Sequence, residues 1–320
     1  MDVNVAPKVG PRFAGIDCGT NSIRLIVVEK QPDFAELKQL VRELRLVRLG
    51  EGVDVNREFS VAALERTFAA VDEYAEIIRS LDVDAVRFVA TSATRDVGNR
   101  QEFDDGVKAR LGVGVDVIDG REEAELSFTG AVAGARLDHV APYLVIDIGG
   151  GSTEFVLGDG AVEYARSVDI GCVRMTERHL QSDPPLAREI AAATRDIDAA
   201  ILDALNDVPG QRANTVVGVA GTVTTVAAIA MELHEYDPER IHLSSMSHEQ
   251  VDQVTAHLLG ITRQERLKLP GVEPGRVDVI GGGALILKRI MDLVGVDEII
   301  VSESDILDAI AWQVAAEALG

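Results

Sequence analysis

Short apolar runs alternate with amphipathic stretches along most of the chain. Apolar residues recur at spacings of three and four from Val61 to Ile78, which is the period of a helix with one buried face, and Ser60 before them is a typical N-cap. Short apolar or alternating runs predict strands at residues 13–17, 23–28, 37–49, 85–91 and 115–119. Strands that alternate with helices indicate an α/β architecture.

The second half of the chain repeats this rhythm. Strands are predicted at residues 143–147, 154–158 and 161–169, and residues 215–230 resemble a buried strand that turns tightly into a helix. Further helices are predicted from Gly120 and at residues 186–205, 248–259, 284–294 and 305–319.

An internal repeat relates the two halves. The segments "GIDCGTNSIRLIVVEK" and "VIDIGGGSTEFVLGDG" align without a gap, with Asp17 on Asp147 and Gly19 on Gly149, an offset of 147 − 17 = 130 residues. A single repeat at this distance indicates duplicated domains rather than a solenoid. We expect two such domains to face each other, with both loops at one interdomain cleft.

Each repeated segment places glycines and small polar residues between two strands. Glycine lets main-chain N–H groups approach a ligand closely, and successive N–H groups form a concave donor array for phosphate oxygens. Carboxylates beside such a loop can hold Mg²⁺, which prefers oxygen ligands shared with phosphate. A simple tight turn is the alternative for either segment. The glycine triplet at 281–283 and the segment 218–222 could each be a strand–helix turn or a further ligand loop.

Composition narrows the possible functions. The 320-residue chain is long enough for two domains, and its formal net charge of −22 argues against unspecific binding to nucleic acid or to an anionic membrane. No apolar run reaches the roughly 18 residues of a membrane helix, and the start of the chain lacks the form of a signal peptide. The distant cysteines Cys18 and Cys172 form no CxxC pair, so we expect a cytoplasmic protein.

Seven motifs in a fixed order resemble one known family. They are "GIDCGTNSIRLIV", "ATSATRD", "GREEAELSF", "VIDIGGGSTEF", "DIGCVRMTE", "GVAGTVTTVA" and "DVIGGGALI", and together they span nearly the whole chain. The sequence resembles the exopolyphosphatase and guanosine pentaphosphate phosphohydrolase family in its short two-domain form, within the actin, hexokinase and heat-shock chaperone ATPase superfamily. The resemblance implies two duplicated actin-like (ribonuclease H-like) domains, at residues 1–125 and 126–304, with the helix 305–320 packed back on the first.

The same resemblance implies a hydrolase that uses Mg²⁺ to release terminal phosphate from inorganic polyphosphate or from pppGpp. It places the catalytic base on Glu123, in "REEA", and metal ligands on the acidic pair Asp147 and Glu154. Asp17 is a third candidate metal ligand, because it is the carboxylate beside the first loop. The phosphate-binding residues that it implies are Gly19, Thr20, Asn21, Ser22, Arg95, Gly149, Gly150, Gly151, Ser152 and Thr153. Arg24 is a further candidate, because it lies just past the first polar loop and strand alternation could point it back toward the phosphate.

Several alternatives stay open at this point. Glu123 and Glu122 could simply favour the helix dipole, Arg95 could pair with Asp96, and Cys18 could be a small buried hydrophobe rather than a thiol near the first loop. The protein could instead prefer pppGpp, could be a kinase of the same superfamily, or could be a nucleotide sensor or filament protein. Polyphosphate chain length, the preferred cation and the oligomeric state are not predicted, and a homodimer is left open.

Overall fold

The computed structural model describes residues 8–32, 37–135 and 140–320, without the side chains of 133–135. Its contacts divide the chain into two units: unit 1 comprises Met1–Asp119 with Ile306–Gly320, and unit 2 comprises Gly120–Asp305. The division therefore falls before the helix that starts at Gly120, whereas the boundary expected near residue 125 lies inside that helix. Among the described residues, no helix is long and apolar enough to cross a membrane.

Unit 1 is built on a five-stranded sheet in the order β3-β2-β1-β4-β5. Strands β1 to β3 are antiparallel neighbours, while β1, β4 and β5 run parallel. The elements of unit 1 are β1 (Arg12–Cys18), β2 (Ser22–Lys30), β3 (Leu37–Leu46), α1 (Val53–Asn56), α2 (Val61–Ser80), β4 (Ala85–Ala90), α3 (Ser92–Arg95), α4 (Arg100–Leu111), β5 (Val115–Val117) and, at the end of the chain, α13 (Ile306–Leu319).

Unit 2 is built on a six-stranded sheet in the order β10-β11-β9-β6-β7-β8. Its elements are α5 (Gly120–Ala135), β6 (Tyr143–Ile148), β7 (Thr153–Gly158), β8 (Val162–Val168), α6 (Cys172–His179), α7 (Ala187–Asp207), β9 (Thr215–Val219), α8 (Ala220–Ala230), α9 (Pro238–Ile241), β10 (Ser245–Ser247), α10 (His248–Gly260), α11 (Arg263–Arg266), α12 (Ile280–Val294) and β11 (Glu298–Val301).

The two sheets share one topology. In unit 2, β6 to β8 are antiparallel neighbours and β6, β9 and β11 run parallel, as β1 to β3 and β1, β4 and β5 do in unit 1; β10 adds an antiparallel edge strand. The repeated segments form the β1–β2 and β6–β7 hairpins, so the internal repeat corresponds to a duplicated fold. The predicted α/β class with two duplicated domains is confirmed.

Each unit has its own hydrophobic core. In unit 1, the apolar stripe of α2 packs on the sheet with Leu64, Val71 and Tyr74 buried, and α13 covers Phe13 and Ile26 on β1 and β2. In unit 2, helices α7, α8, α10 and α12 bury their apolar faces against the sheet. These cores hold the central hairpins rigidly, since β1 and β6 are buried along their whole length.

Some elements differ from the sequence prediction. Strand β3 ends at Leu46 rather than at residue 49, because the N–H groups of Val47 and Arg48 turn to the Asn21 carbonyl at 3.1 and 2.9 Å. Helices α4 and α6 and strand β11 were not predicted. Helix α4 buries only Phe103 and Val107 in an otherwise polar sequence, which leaves its apolar period weak.

The glycine triplet at 281–283 is the first turn of α12, not a separate loop. A Cβ at Gly282 would lie 2.6 Å from Thr176 Oγ1, and a Cβ at Gly283 would lie 2.6 Å from Thr222 Cγ2. The glycines therefore allow α12 to approach α6 and α8 closely. The segment 218–222 is likewise a direct strand–helix turn, from β9 into α8.

Candidate phosphate-binding and hydrolytic site

The loop between β6 and β7 offers main-chain donors to an anion. The loop is closed by a hydrogen bond of 3.0 Å from Gly149 N–H to the Ser152 carbonyl. Within the described part of the chain, the N–H groups of Gly150 and Gly151 have no protein acceptor. Two successive unbonded N–H groups on a rigid hairpin are the donor array that binds phosphate oxygens.

Helix α6 holds this loop from behind. The N–H of Cys172 donates to the Gly149 carbonyl at 3.0 Å, and those of Val173 and Arg174 donate to the Gly150 carbonyl at 2.9 and 3.1 Å. Arg174 is buried, and its Nε donates to the Gly151 carbonyl at 2.8 Å. The loop carbonyls are therefore used internally, which leaves the N–H side of the loop for a ligand.

Asp147 and Glu154 lie side by side across this hairpin. They are paired in the antiparallel register of β6 and β7, and their exposed fractions are only 6% and 1%. The Ser127 hydroxyl donates to Asp147 Oδ2, and the Ser167 hydroxyl donates to Glu154 Oε1 at 2.7 Å. Two carboxylates on adjacent strands at the end of an anion-binding loop are well placed to share a cation.

Glu123 belongs to the same cluster. Burial first, and then the charges of Glu123 and Asp147, raise the pKa of Glu154 well above its ordinary value of 4.5, against hydrogen bonds from Ser167 and Ser152. Glu123 is 8% exposed in the first turn of α5, whereas its neighbour Glu122 is half-buried. The structure therefore separates the two glutamates of "REEA": Glu123 faces the acidic pair.

The residues of this cluster fit a divalent cation in part. Three buried carboxylates repel one another, as the raised pKa of Glu154 reflects, and hard oxygen donors suit Mg²⁺. No group of three or more His, Cys, Asp or Glu side chains converges into a complete metal site among the residues described. Mg²⁺ does not need a complete set of protein ligands, because it is commonly held by one or two carboxylates together with water and substrate phosphate. Asp147 and Glu154 are the residues that would hold it.

The β1–β2 loop of unit 1 has the same construction. Gly19 N–H donates to the Ser22 carbonyl at 2.9 Å, the counterpart of the bond from Gly149 to Ser152. Gly50 N–H donates to the Thr20 carbonyl at 2.8 Å, and the Thr20 and Ser92 hydroxyls are 3.0 Å apart. As in unit 2, the loop carbonyls are occupied by neighbouring segments.

Asn21 provides a further indication of a ligand at this loop. Both its side-chain oxygen and its side-chain nitrogen are buried without a protein hydrogen-bond partner, although the residue is only 7% exposed. An unsatisfied buried polar group costs about 1–3 kcal/mol, so native structures rarely retain one without a bound water, ion or ligand. An anion's oxygen would satisfy the amide nitrogen.

Other predicted site residues have contacts that limit their roles. The Thr153 hydroxyl is fully buried and donates to the Ile170 carbonyl at 2.5 Å, so it shapes the loop. Arg95 lies at the end of α3, in the same short helix as Ser92, and donates to the Ile118 carbonyl at 3.0 Å. Asp96 lies 3.8 Å from Arg57, with which it forms an ion pair. Cys18 is buried in the core of unit 1, where burial and then Asp17 raise the pKa of its thiol.

Sequence reasoning did not single out Ser127, Ser167 or Gly171. Ser127 follows Glu123 by four residues, so both lie on one face of α5, and this spacing was a usable signal. A Cβ at Gly171 would lie 2.5 Å from the Gly151 nitrogen, which explains the glycine before α6. Gly171 and Ser167 come close to the site only when the chain is folded, and nothing in their local sequence indicates that position.

Two duplicated sheets of one topology, each with a glycine-containing hairpin loop, define a protein of the actin-like fold class. Within that class, the chain belongs to the Ppx/GppA phosphatase family, whose model matches residues 26–306. The predicted resemblance is therefore confirmed.

Individual relatives agree with this assignment. The chain is 46% identical over 315 residues to Exopolyphosphatase 2 of Mycobacterium tuberculosis, covering 95% of this chain and 98% of the relative. A crystal structure of an exopolyphosphatase-like protein superimposes with a TM-score of 0.92 at 43% identity and covers 96% of this chain and 99% of that chain. A more distant relative, the guanosine-5'-triphosphate,3'-diphosphate pyrophosphatase of Aeromonas salmonicida, is 30% identical over 90% of this chain but only 56% of its own length.

Proposed function

We propose that this protein is an exopolyphosphatase, which hydrolyses the terminal phosphoanhydride bond of inorganic polyphosphate and releases phosphate. One observation carries the proposal: Glu123 is buried beside Asp147 and Glu154, at the end of a hairpin loop in which the N–H groups of Gly150 and Gly151 have no acceptor within the described residues. The near full-length similarity to a mycobacterial exopolyphosphatase supports the same substrate class.

Glu123 acts as the general base in this proposal. A water oxygen attacks the terminal phosphorus while Glu123 accepts a proton from that water, and the bridging P–O bond breaks. The electron pair of that bond stays on the shortened polyphosphate chain, which leaves as an anion. Hydrolysis of this kind needs positioning and charge neutralisation more than covalent help, which suits a site made of main-chain donors and a single base.

The loop 149–153 binds the terminal phosphate in this mechanism. The N–H groups of Gly150 and Gly151 donate to its oxygens, while the buried Ser152 hydroxyl is hydrogen-bonded to Glu154 and so supports the carboxylate beside the loop. In unit 1, we propose that the loop 19–22, Arg24 and Arg95 bind phosphate oxygens as well, with the unsatisfied Asn21 amide as a donor.

Mg²⁺ is the proposed cofactor, held by Asp147 and Glu154 together with substrate and water oxygens. When bound, it would neutralise phosphate charge and relieve the repulsion among the three acids. Ser127 and Ser167 hold the two carboxylates in place by donating hydrogen bonds to them.

The test is phosphate release from tripolyphosphate, long-chain polyphosphate, pppGpp and ATP, for the wild type and the variants Glu123→Gln and Glu122→Gln. We expect release from polyphosphate, a loss in turnover of about 10²–10⁴-fold for Glu123→Gln, and near wild-type turnover for Glu122→Gln. Removing a base lowers turnover more than it alters the Michaelis constant. Wild-type turnover in Glu123→Gln would remove that residue as the base.

Hydrolysis of pppGpp is the second candidate function. It is favoured by the similarity to the Aeromonas pyrophosphatase, and it requires the same attack on a terminal phosphate. The ratio of kcat/KM for long polyphosphate to that for pppGpp decides between the two. No release from any of the four substrates would contradict both candidate functions. Only the proposal that the two loops bind phosphate would then remain.

A further inference from the structure

Asp17 and Arg24 form an ion pair at the end of the β1–β2 hairpin. They face each other in the antiparallel register, next to the last strand pair before the loop, Cys18 and Ile23. Arg24 Nε and Nη2 both donate to Asp17 Oδ2, at 3.0 and 2.6 Å, and the side chains are 16% and 8% exposed. Two donors of a planar guanidinium on one fixed oxygen set the orientation of the guanidinium.

The duplication supplies a direct comparison. Arg24 and Glu154 are equivalent positions, since 154 − 24 = 130 is the same offset as 147 − 17 = 130. In β6–β7, therefore, Asp147 faces a second carboxylate, whereas in β1–β2 Asp17 faces a guanidinium. The pair of acids attracts a cation, and the acid–guanidinium pair already has its charge balanced.

A divalent cation on Asp17 would have to compete with Arg24. The guanidinium occupies Oδ2 at hydrogen-bonding distance, and its positive charge would repel a cation placed beside it. The two hairpins have thus kept one backbone and one aspartate but differ in the charge of the facing residue. The expectation that Asp17 is a metal ligand has no support from these contacts.

We propose that Asp17 is a positioning residue that orients Arg24 towards phosphate at the 19–22 loop, and that the divalent cation is held in unit 2 without it. This inference rests on the proposed function in one respect, because that function identifies the bound ligand as a phosphate compound. It assigns the two hairpins different tasks: the β1–β2 hairpin binds phosphate through a fixed arginine, and the β6–β7 hairpin combines phosphate donors with a cation.

The experiment compares two equilibrium binding measurements on Asp17→Asn, Arg24→Ala and the double variant. Tripolyphosphate binding is measured by calorimetry without divalent cation, and Mn²⁺ binding, as a probe for Mg²⁺, is measured by electron paramagnetic resonance. Asp147→Asn is the control for a lost cation ligand. Neither binding measurement depends on turnover. If the proposed hydrolysis is wrong, the wild type releases no phosphate in the activity test, and the two binding measurements still decide this inference.

We expect each single variant to weaken tripolyphosphate binding about tenfold, and the double variant to be no weaker than Arg24→Ala, because Asp17 acts through Arg24. Mn²⁺ affinity should stay within about twofold of wild type in all three variants and fall at least tenfold in Asp147→Asn. Loss of Mn²⁺ binding in Asp17→Asn would overturn the proposal. Unchanged tripolyphosphate affinity in Asp17→Asn, or losses that multiply in the double variant, would overturn it as well.

A second variant covers the case in which Asp17→Asn does not fold, since removing one partner of a buried ion pair is costly. Asp17→Asn/Arg24→Gln removes both charges at nearly constant volume. We expect it to match Arg24→Gln in tripolyphosphate affinity and the wild type in Mn²⁺ affinity. Weaker Mn²⁺ binding than in Arg24→Gln alone would assign Asp17 to the metal.

Discussion

At the residue scale, a second ion pair lies at the other end of the β1–β2 hairpin. Arg12 and Glu29 are opposite in the register, 4% and 3% exposed, and their Nε and Oε1 atoms are 2.8 Å apart. Arg12 also donates to the Leu81 carbonyl at 2.8 Å. This pair closes the hairpin far from the loop, so its contribution is to stability rather than to ligand binding.

We predict that Glu29→Gln lowers the free energy of unfolding by about 3–5 kcal/mol at neutral pH, because Arg12 is left buried without its counter-charge. Urea denaturation measures the change. Glu51→Gln is the matched control: its partner Arg66 lies 2.9 Å away on the surface, so the cost should be at most about 1 kcal/mol. Equal costs for the two variants would contradict the prediction.

The effect of Glu29→Gln should also depend on pH. Burial would raise the pKa of Glu29, but hydrogen bonds from Arg12, Val9 and Gln31 outweigh it, and the pKa lies below its ordinary value of 4.5. Because the folded-state pKa is lowered, the stabilisation is present above the unfolded-state pKa and is lost as pH falls through the folded-state value. The difference between wild type and variant should therefore shrink below about pH 4.5 and be constant above pH 6. A difference that grows on acidification would be inconsistent with this pairing.

The glycines of α12 allow another residue-scale prediction. Gly282→Ala places a Cβ 2.6 Å from Thr176 Oγ1, and that hydroxyl is held by a 2.7 Å bond to the Cys172 carbonyl, so it cannot easily move. We expect a loss of about 1–3 kcal/mol in unfolding free energy. Gly281→Ala meets nothing closer than Leu259 Cδ2 at 3.3 Å, the end of a flexible side chain, and should cost less than Gly282→Ala. Denaturation midpoints of both variants check this, and an equally tolerated Gly282→Ala would refute close packing of α12 on α6.

At the scale of elements, α6 determines the conformation of the loop between β6 and β7. Its first N–H groups hold the carbonyls of Gly149 and Gly150, and Gly171 lets the helix approach the loop backbone. The helix thus acts as a support whose position sets where the loop N–H groups point. The support and the loop are more than twenty residues apart in the chain, which makes this contact purely tertiary.

We predict that Gly171→Ala raises KM for polyphosphate about tenfold or more while the protein stays folded, because the added Cβ displaces the Gly150 and Gly151 backbone. Steady-state kinetics and circular dichroism check the two parts. Gly260→Ala, at the end of α10, meets no atom within 4 Å and serves as the control with unchanged kinetics. A wild-type KM in Gly171→Ala would contradict the prediction, because substrate binding would then not depend on the geometry of this loop.

At the scale of the whole molecule, the charge of −22 opposes the approach of a polyanion. The Debye length falls from about 30 Å at 0.01 M salt to about 8 Å at 0.15 M, so added salt screens the long-range repulsion before it weakens contacts at the site. We predict that kcat/KM for long polyphosphate rises about two- to fivefold over this range at fixed Mg²⁺. Tripolyphosphate, with far less charge, should respond less. A monotonic fall with salt would indicate binding dominated by a basic surface.

Much of the fold and part of the candidate site could be predicted from the sequence. The alternation of strands and helices, the duplication, and the loops at 19–22 and 149–153 are local patterns, and the structure places each on the expected hairpin. Helix α4 and strand β11 were missed because a short or mostly polar element gains its stability from tertiary packing, which leaves little trace in local periodicity.

The sequence by itself determined where the two glycine-containing hairpin loops lie, because glycine and small polar residues between strands constrain the backbone locally. Only the tertiary structure decided which charges face one another. The register of two antiparallel hairpins places Asp17 against Arg24 but Asp147 against Glu154, and the packing of α5 adds Glu123 to the acidic pair alone. Charge pairing depends on distances of a few ångströms between residues far apart in the chain, and those distances exist only in the folded units.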